Sequence, residues 1–241
     1  SKFMSHCRQL SGVTGVFATL WGTTASDLVT SFDGCGTWRN PWACSSTPRK
    51  GYYTQGGWFH LDQNWHNSPG LETFQGLLNF FPTTESSGST VVLPGSHKDF
   101  QENCRFAPGG GSFVRMTYPG QKEYCEERAS MALLEPGDFI AWDSRVVHCS
   151  SGIDPHASMD EVMPGERRHS PLTRLVAYIS MLPRSRLGAD QSTRERATAA
   201  RRRAVVRGTG SGHDPRRVRS KSQPSRTYEA PAPDDPLWSL V

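Results

Sequence analysis

Glycine and proline punctuation constrains this chain more than any other feature. Its 23 glycines and 17 prolines cluster between short runs rich in Val, Phe, Trp and Tyr, the pattern of many short strands joined by turns. Candidate strands are Asp27 to Phe32, Trp58 to Asp62, Phe74 to Phe81, Thr90 to Leu93, Met131 to Leu134, Phe139 to Trp142, Val146 to Ser150 and Arg174 to Leu182. Their number and spacing predict a mainly β sandwich or barrel rather than alternating βαβ units. No internal repeat is visible, and 241 residues suit one domain.

Two stretches break the pattern. Asp154 to Pro171 is polar, with Pro155, Pro164, Gly165 and the run Glu166-Arg167-Arg168, and reads as a long loop between two strands. Asp190 to Arg207 is rich in Ala, Arg and Thr without Gly or Pro, and predicts a helix with a strongly basic face. From Gly208 to Val241 the chain reads as a covering tail, partly disordered where Pro and Ser dominate Pro215 to Pro236. The net charge of +4 conceals a split: Arg184 to Lys221 holds twelve basic against three acidic side chains, so the remainder is acidic. Arg201, Arg202 and Arg203 with Arg194 and Arg207 could meet phosphates, but helical spacing spreads them around the helix. No nucleic-acid module accompanies them, so no nucleic-acid partner is expected and a solvated face is the plainer reading.

Hydrophobic residues at 35% and charged residues at 21% exclude a wholly disordered chain. No run approaches the roughly 20 apolar residues that span a bilayer. Six scattered cysteines (Cys7, Cys35, Cys44, Cys104, Cys125, Cys149), with no Cys-x-x-Cys pair, read as reduced thiols of an intracellular, cytoplasmic protein. The chain begins at Ser1 rather than Met, so the N-terminus is read as truncated.

The most informative local pattern is Trp58-Phe59-His60-Leu61-Asp62. On a strand, His60 and Asp62 point to one face, as does Trp58, and an imidazole and a carboxylate can fill two adjacent positions on a divalent metal. His148, within the later run Val146 to Ser150, is a candidate third ligand. Two histidines and one carboxylate make the facial triad of non-haem Fe(II) oxygenases, with three positions open. By itself His-x-Asp is as readily a hydrogen-bonded pair, and a lone distal histidine a satisfied core side chain. Arg174 opens an alternating run in which Arg174, Val176, Tyr178 and Ser180 share a face; it is either a solvent-facing edge residue or a buried guanidinium that needs an anionic ligand. Gln75 and Asn79 also share a strand face, towards either a pocket or the polar core. Trp58, Phe59, Trp65, Phe80 and Trp142 are candidate pocket walls or ordinary core.

The order His60-x-Asp62, Phe74-Gln75-Gly76-Leu77-Leu78-Asn79, Val91-Val92-Leu93-Pro94-Gly95-Ser96-His97-Lys98, Pro136-Gly137-Asp138, Trp142-Asp143-Ser144-Arg145-x-x-His148 and then Arg174 resembles the phytanoyl-CoA dioxygenase family. Ser31-Phe32-Asp33-Gly34 resembles a lead-in of that family, and the basic helix before Thr209-Gly210-Ser211-Gly212-His213 its closing helix and histidine-bearing turn, so the likeness runs from about Leu20 to His213. It implies a double-stranded β-helix (jelly roll, cupin-like) with flanking helices. One oxygenase domain would span residues 1–241, its core about 20–183 and its C-terminal helix and tail about 184–241. His60, Asp62 and His148 would hold Fe(II), and Arg174, with Ser150 beside it, would anchor the far carboxylate of 2-oxoglutarate; Gln75 and Asn79 would line the cofactor pocket. The implied reaction uses O2 to hydroxylate a small-molecule or lipid-like substrate, releasing succinate and CO2. Related halogenases replace the carboxylate ligand with a small residue, so Asp62 implies hydroxylation. His97 is expected in a structural turn.

Two departures stand out. In the family the arginine usually follows the distal histidine much more closely, whereas here 26 residues separate His148 from Arg174, which leaves Arg167 and Arg168 as other anchors. The part before His60 is shorter than in many relatives. Two alternatives stay open at this point: a cupin-like metalloenzyme using another metal without an oxo-acid, and a non-catalytic relative binding a partner through its basic tail.

Overall fold

The computed structural model describes residues 1–218 and 228–241. Among the described residues, ten antiparallel strands form two facing sheets. The first contains β1 (Leu28–Thr30), β2 (Cys35–Arg39), β4 (Phe74–Asn79), β8 (Phe139–Asp143) and β10 (Leu172–Pro183), in the order β1-β10-β4-β8 with β2 also on β10. The second contains β3 (His60–Leu61), β5 (Thr90–Val92), β6 (Val114–Arg115), β7 (Ser130–Ala132) and β9 (His148–Ser150), in the order β6-β3-β9-β5-β7. Side chains of one sheet reach those of the other, as Arg174 reaches Thr90 and Trp142 approaches His148, so the fold is a double-stranded β-helix. Helical residues outnumber strand residues, but they lie outside the sheets.

Strand alternation sorts the residues. On β10 Ala177, Ile179 and Met181 face outward and are buried by two N-terminal helices, α1 (Lys2–Gln9) and α2 (Ser11–Trp21), through Met4, Cys7, Val13 and Phe17. Val176 and Tyr178 face inward with Trp38, Leu77 and Trp142. This two-sided burial explains why β10 reads as the longest apolar run. On the second sheet Leu61, Val147 and Cys149 face outward, packed with Phe100 and Cys125 from α3 (Phe100–Asn103) and α4 (Gln121–Arg128). His60, His148 and Ser150 are therefore turned towards the interior.

Several expectations need amendment. Strand β3 ends at Leu61, so Asp62 lies just beyond it. The stretch from Asp154 to Pro171 is not one loop: it holds α5 (Met159–Val162), capped by Ser158 and Glu161, and a 3₁₀ turn over Gly165–His169. The basic helix is α6 (Gln191–Arg207), with Asp190 as its N-cap. Its arginines are not all solvated: Arg201 is fully buried, donating to the carbonyls of Thr30, Pro215, Leu240 and Val241. The end of the tail is packed, with Leu237, Leu240 and Val241 buried. Residues 219–227, part of the expected disordered segment, lie outside the described residues.

Gly88 shows how tightly the turns close. It has φ +76°, and a Cβ there would lie 2.4 Å from the Gly152 carbonyl oxygen, so only glycine lets the chain before β5 pass against the exit from β9.

Candidate metal and oxo-acid site

His60 and His148 are direct partners across the β3–β9 pair. Register places their imidazoles on one face, with ring centroids 4.3 Å apart. The Nδ1 of His60 lies 3.1 Å from the Trp58 carbonyl, and that of His148 lies 2.9 Å from the Val146 carbonyl. A carbonyl only accepts, so Nδ1 carries the proton in both rings and Nε2 presents its lone pair. The two Nε2 atoms face Asp62, at 3.7 Å from Oδ1 and 3.3 Å from Oδ2. The three ligand atoms lie within 4.8 Å of one another.

Lone pairs thus converge with no proton between them in the neutral tautomers, an arrangement that repels itself until a cation sits at the centre. Burial, followed by the neighbouring His148, lowers the His60 pKa to about 4. Burial pushes the Asp62 carboxyl up, but His148, His213 and His60 outweigh it and hold the group well below the usual carboxylate range. A neutral imidazole beside an ionised carboxylate is the state in which both bind a metal. The donor set, two imidazoles and one carboxylate with carbonyl-oriented Nδ1 atoms, fits Fe(II) and leaves one side for other ligands.

Deeper between the sheets lies Arg174, 1% exposed. Its Nη2 donates to Thr90 Oγ1 at 2.7 Å, and its guanidinium lies 4.4 Å from the centre of the Trp38 ring. Nε and Nη1 are buried without a hydrogen-bond partner among the described residues. No carboxylate faces it to within ion-pair distance there, and burial lowers its pKa to about 10. A desolvated guanidinium with two open donors is an incomplete site, and a carboxylate completes it. Ser150, the register partner of Thr90, lies on the neighbouring strand, close to Tyr178. These groups fit the far end of an oxo-dicarboxylate.

The other candidates separate. Gln75 is buried and accepts from Trp142 Nε1 at 2.9 Å, while Trp142 lies 5.1 Å from the His148 ring. Asn79 stands at the far end of β4, where its amide donates to the carbonyls of Phe81, Leu134 and Glu135. Arg167 donates to the carbonyls of Pro82 and Thr173, and Arg168 pairs with Asp160 at 3.3 Å on the surface. Neither opens towards Thr90 as Arg174 does. His97 sits in the 3₁₀ turn Ser96–Asp99, outside the metal cluster.

Trp58 stacks on His60 at 4.6 Å and 12°, and Phe113 lies against the same ring at 4.7 Å. Phe59 and Trp65 belong to the packing behind the second sheet, and Phe80 to that under the N-terminal helices. Beside Asp62 opens a cavity of about 370 Å³, bordered by Glu72, Gln75, Phe113, Ser144 and His213. Sequence reasoning did not single out Thr90, Trp38 or Phe113, and placed Tyr178 only on the face it shares with Arg174. Their only signal was inward parity on a strand or proximity to one.

Residues 11–154 match the family described as Phytanoyl-CoA dioxygenase. The chain belongs to the phytanoyl-CoA dioxygenase family. The part matched to the phytanoyl-CoA dioxygenases contains His60, Asp62, His148 and Ser150 and stops before Arg174. Among curated proteins, the Ava biosynthesis cluster protein O of Aspergillus versicolor is 29% identical over 195 residues, covering 76% of this chain and 55% of that protein. The chain therefore spans about half the length of the curated relative it matches. Among solved structures, EctD from S. alaskensis with bound Fe is similar at a TM-score of 0.45 and 14% identity, covering 72% of this chain and 50% of that one. EvdO2 from Micromonospora carbonacea var. aurantiaca, complexed with 2-oxoglutarate, is similar at a TM-score of 0.43 and 14% identity, covering 75% and 63%.

Proposed function

We propose that the protein is a non-haem Fe(II)- and 2-oxoglutarate-dependent dioxygenase that hydroxylates a small-molecule or lipid-like substrate with release of succinate and CO2. The observation that carries this reading is the pairing of two incomplete sites in one interior: the electron-rich cluster His60, Asp62 and His148, and the buried guanidinium of Arg174 with two open donors. A metalloenzyme of another type would need the first without the second. Family membership supports the same reading.

In this reading His60, Asp62 and His148 hold Fe(II), which with O2 and 2-oxoglutarate supplies the oxidising chemistry. Arg174 takes the far carboxylate of 2-oxoglutarate and fixes its length along the interior, aided by Ser150. Gln75 holds the Trp142 indole in place beside His148, and Asn79 ties the end of β4 to the turn before β8. Trp58 and Phe113 shield one flank of His60 from water and offer an apolar surface to substrate. Residues 1–241 act as one domain with the C-terminal segment as its cover. The protein works inside the cell, a reading supported by six cysteines that are all free thiols. No described helix is long and apolar enough to cross a membrane. A small molecule rather than nucleic acid is the partner: of the three successive arginines on α6, Arg201 is turned inward and carries structure.

The test is succinate formation from 2-oxoglutarate with Fe(II) and O2 in wild type and His60→Ala, alongside Fe(II) affinity. Turnover and metal binding should both collapse in the variant. Equal values in the two proteins would remove the triad assignment.

A further inference from the structure

A second cavity lies between α1, the chain that follows β1, the end of α6 and residues 228–237 of the tail. It shares no lining residue with the cavity beside Asp62. Its volume of about 650 Å³ falls within the roughly 300 to 1,000 Å³ of small-molecule sites. Met4 of α1, Phe32 after β1, Val205 of α6, and Pro231 and Leu237 of the tail make its apolar wall.

Arg8, in the last turn of α1, lines the same cavity and is 5% exposed. Its Nη2 donates to the Asp33 carbonyl. Nε is buried without a hydrogen-bond partner, and Nη1 makes no hydrogen bond or ion pair among the described residues. Burial lowers the guanidinium pKa to about 10, with Asp33 drawing it back from beyond ion-pair distance. The acids around the cavity are engaged elsewhere. Asp33 Oδ1 accepts from the Gly34 amide, and its Oδ2 lies 2.8 Å from His213 Nδ1. Asp235 accepts from Gln9 and from the Leu237 amide, and Glu229 lies 3.8 Å from Lys2. A desolvated guanidinium with spare donors beside an apolar wall is short of an anion. One guanidinium balances one negative charge, which suits a carboxylate and leaves a phosphate dianion uncompensated.

We propose that this cavity binds an apolar monocarboxylate, its carboxylate on Arg8 and its hydrocarbon body along Met4, Phe32, Val205 and Leu237. The site needs neither metal nor oxo-acid, so it stands independently of the oxygenase reading. Its occupant touches α1, α6 and the tail at once, three segments far apart in sequence, and therefore ties the cover to the N-terminal helices.

The probe is octanoate, with octan-1-ol as its uncharged counterpart, added to wild type, Arg8→Met, Gly34→Phe and Arg174→Met. Calorimetry reads affinity. Alkylation of Cys35 reads location, because Cys35 lines the cavity while Cys44, also an exposed thiol, does not. Octanoate should bind wild type and slow alkylation of Cys35 but not of Cys44, and octan-1-ol should bind about 10-fold more weakly or worse. Arg8→Met should lose octanoate affinity by about 30-fold or more and bind the alcohol as wild type does. Gly34 also lines the cavity, and a Cβ there meets nothing within 4 Å. Gly34→Phe should therefore fill the space and weaken both probes, and it carries the test if Arg8→Met does not fold. Arg174→Met should bind octanoate as wild type does. No octanoate binding to wild type, or wild-type affinity in both Arg8→Met and Gly34→Phe, would overturn the proposal. So would affinity lost in Arg174→Met and kept in Arg8→Met, which would put the carboxylate in the oxo-acid pocket.

Discussion

Replacing Arg174 with methionine should move two quantities in opposite directions. Burial lowers the guanidinium pKa from its ordinary value to about 10, which corresponds to about 3 kcal/mol spent on keeping the charge inside the sandwich. The Thr90 hydrogen bond and the Trp38 face offset it, together by about 2 kcal/mol. Methionine fills much of the same volume without the charge, so the ligand-free variant should be more stable by about 1 kcal/mol, or about 3 °C in Tm for a chain of this size. With 2-oxoglutarate and Co(II) the order should reverse. Losing one partner of a buried charge pair costs about 2 to 5 kcal/mol, so affinity for 2-oxoglutarate should fall by about 30-fold or more. At 2-oxoglutarate 100 times its wild-type Kd, wild type should gain about 2.7 kcal/mol and the variant about 0.9 kcal/mol or less. Thermal melts with and without 2-oxoglutarate, backed by calorimetry, read both effects. A ligand-free variant that melts well below wild type would mean that Arg174 is already satisfied by the fold. An equal 2-oxoglutarate shift in both proteins would eliminate it as the anchor.

Acid should weaken the metal-free protein in a defined window. Unfolded His60 takes up a proton below about pH 6.5 and folded His60 only below about 4, so the unfolded state binds more protons between those values and stability falls as pH drops through them. The loss should approach 3 kcal/mol, read from urea midpoints; a profile as steep in His60→Gln as in wild type would contradict it. Gly88→Ala should cost about 3 kcal/mol because strain at φ +76° adds to the clash with the Gly152 carbonyl. Gly137→Ala, at φ +95° with open space around it, should cost only about 1 kcal/mol, and equal urea midpoints for the two variants would refute the packing argument. Arg201→Ala should cost about 3 kcal/mol by stranding its buried carbonyl partners. Limited proteolysis should then cleave the variant after Gly208 much faster than wild type, and unchanged cleavage would show that the tail is held by other contacts.

Legibility in the sequence followed the length and burial of each element. Strand β10 was readable because Leu172–Pro183 is apolar on both faces, and the same parity grouped Arg174 with Val176 and Tyr178 without deciding between solvent and interior. Strand β6, two residues long, offers too short a pattern to detect, and β2 hides behind Gly36 and its exposed alternate residues. The N-terminal helices left a usable signal: Val13 and Phe17 stand four apart, and Gly22 closes α2 in the left-handed conformation. The stronger hint lay elsewhere, since the outward Ala177, Ile179 and Met181 require a cover that no strand supplies. Three successive arginines on a helix cannot share one face, so an inward member among Arg201 to Arg203 was foreseeable although its identity was not. The candidate metal ligands His60 and Asp62 were legible as a spacing. The setting of Arg174 between Thr90 and Trp38 depends on contacts between distant segments, which carry no local pattern.

His60 and His148 face each other as partners in one strand pair, so coordination is coupled to the pairing itself. A slip of one residue would turn one imidazole to the opposite side of the sheet and bring Leu61 or Cys149 in its place. A chain paired in the wrong register therefore has no metal site. Under the proposed function, a bound ion would add its binding energy only to molecules whose second sheet has aligned correctly, whereas the loops that border the cavity could diverge without disturbing that link.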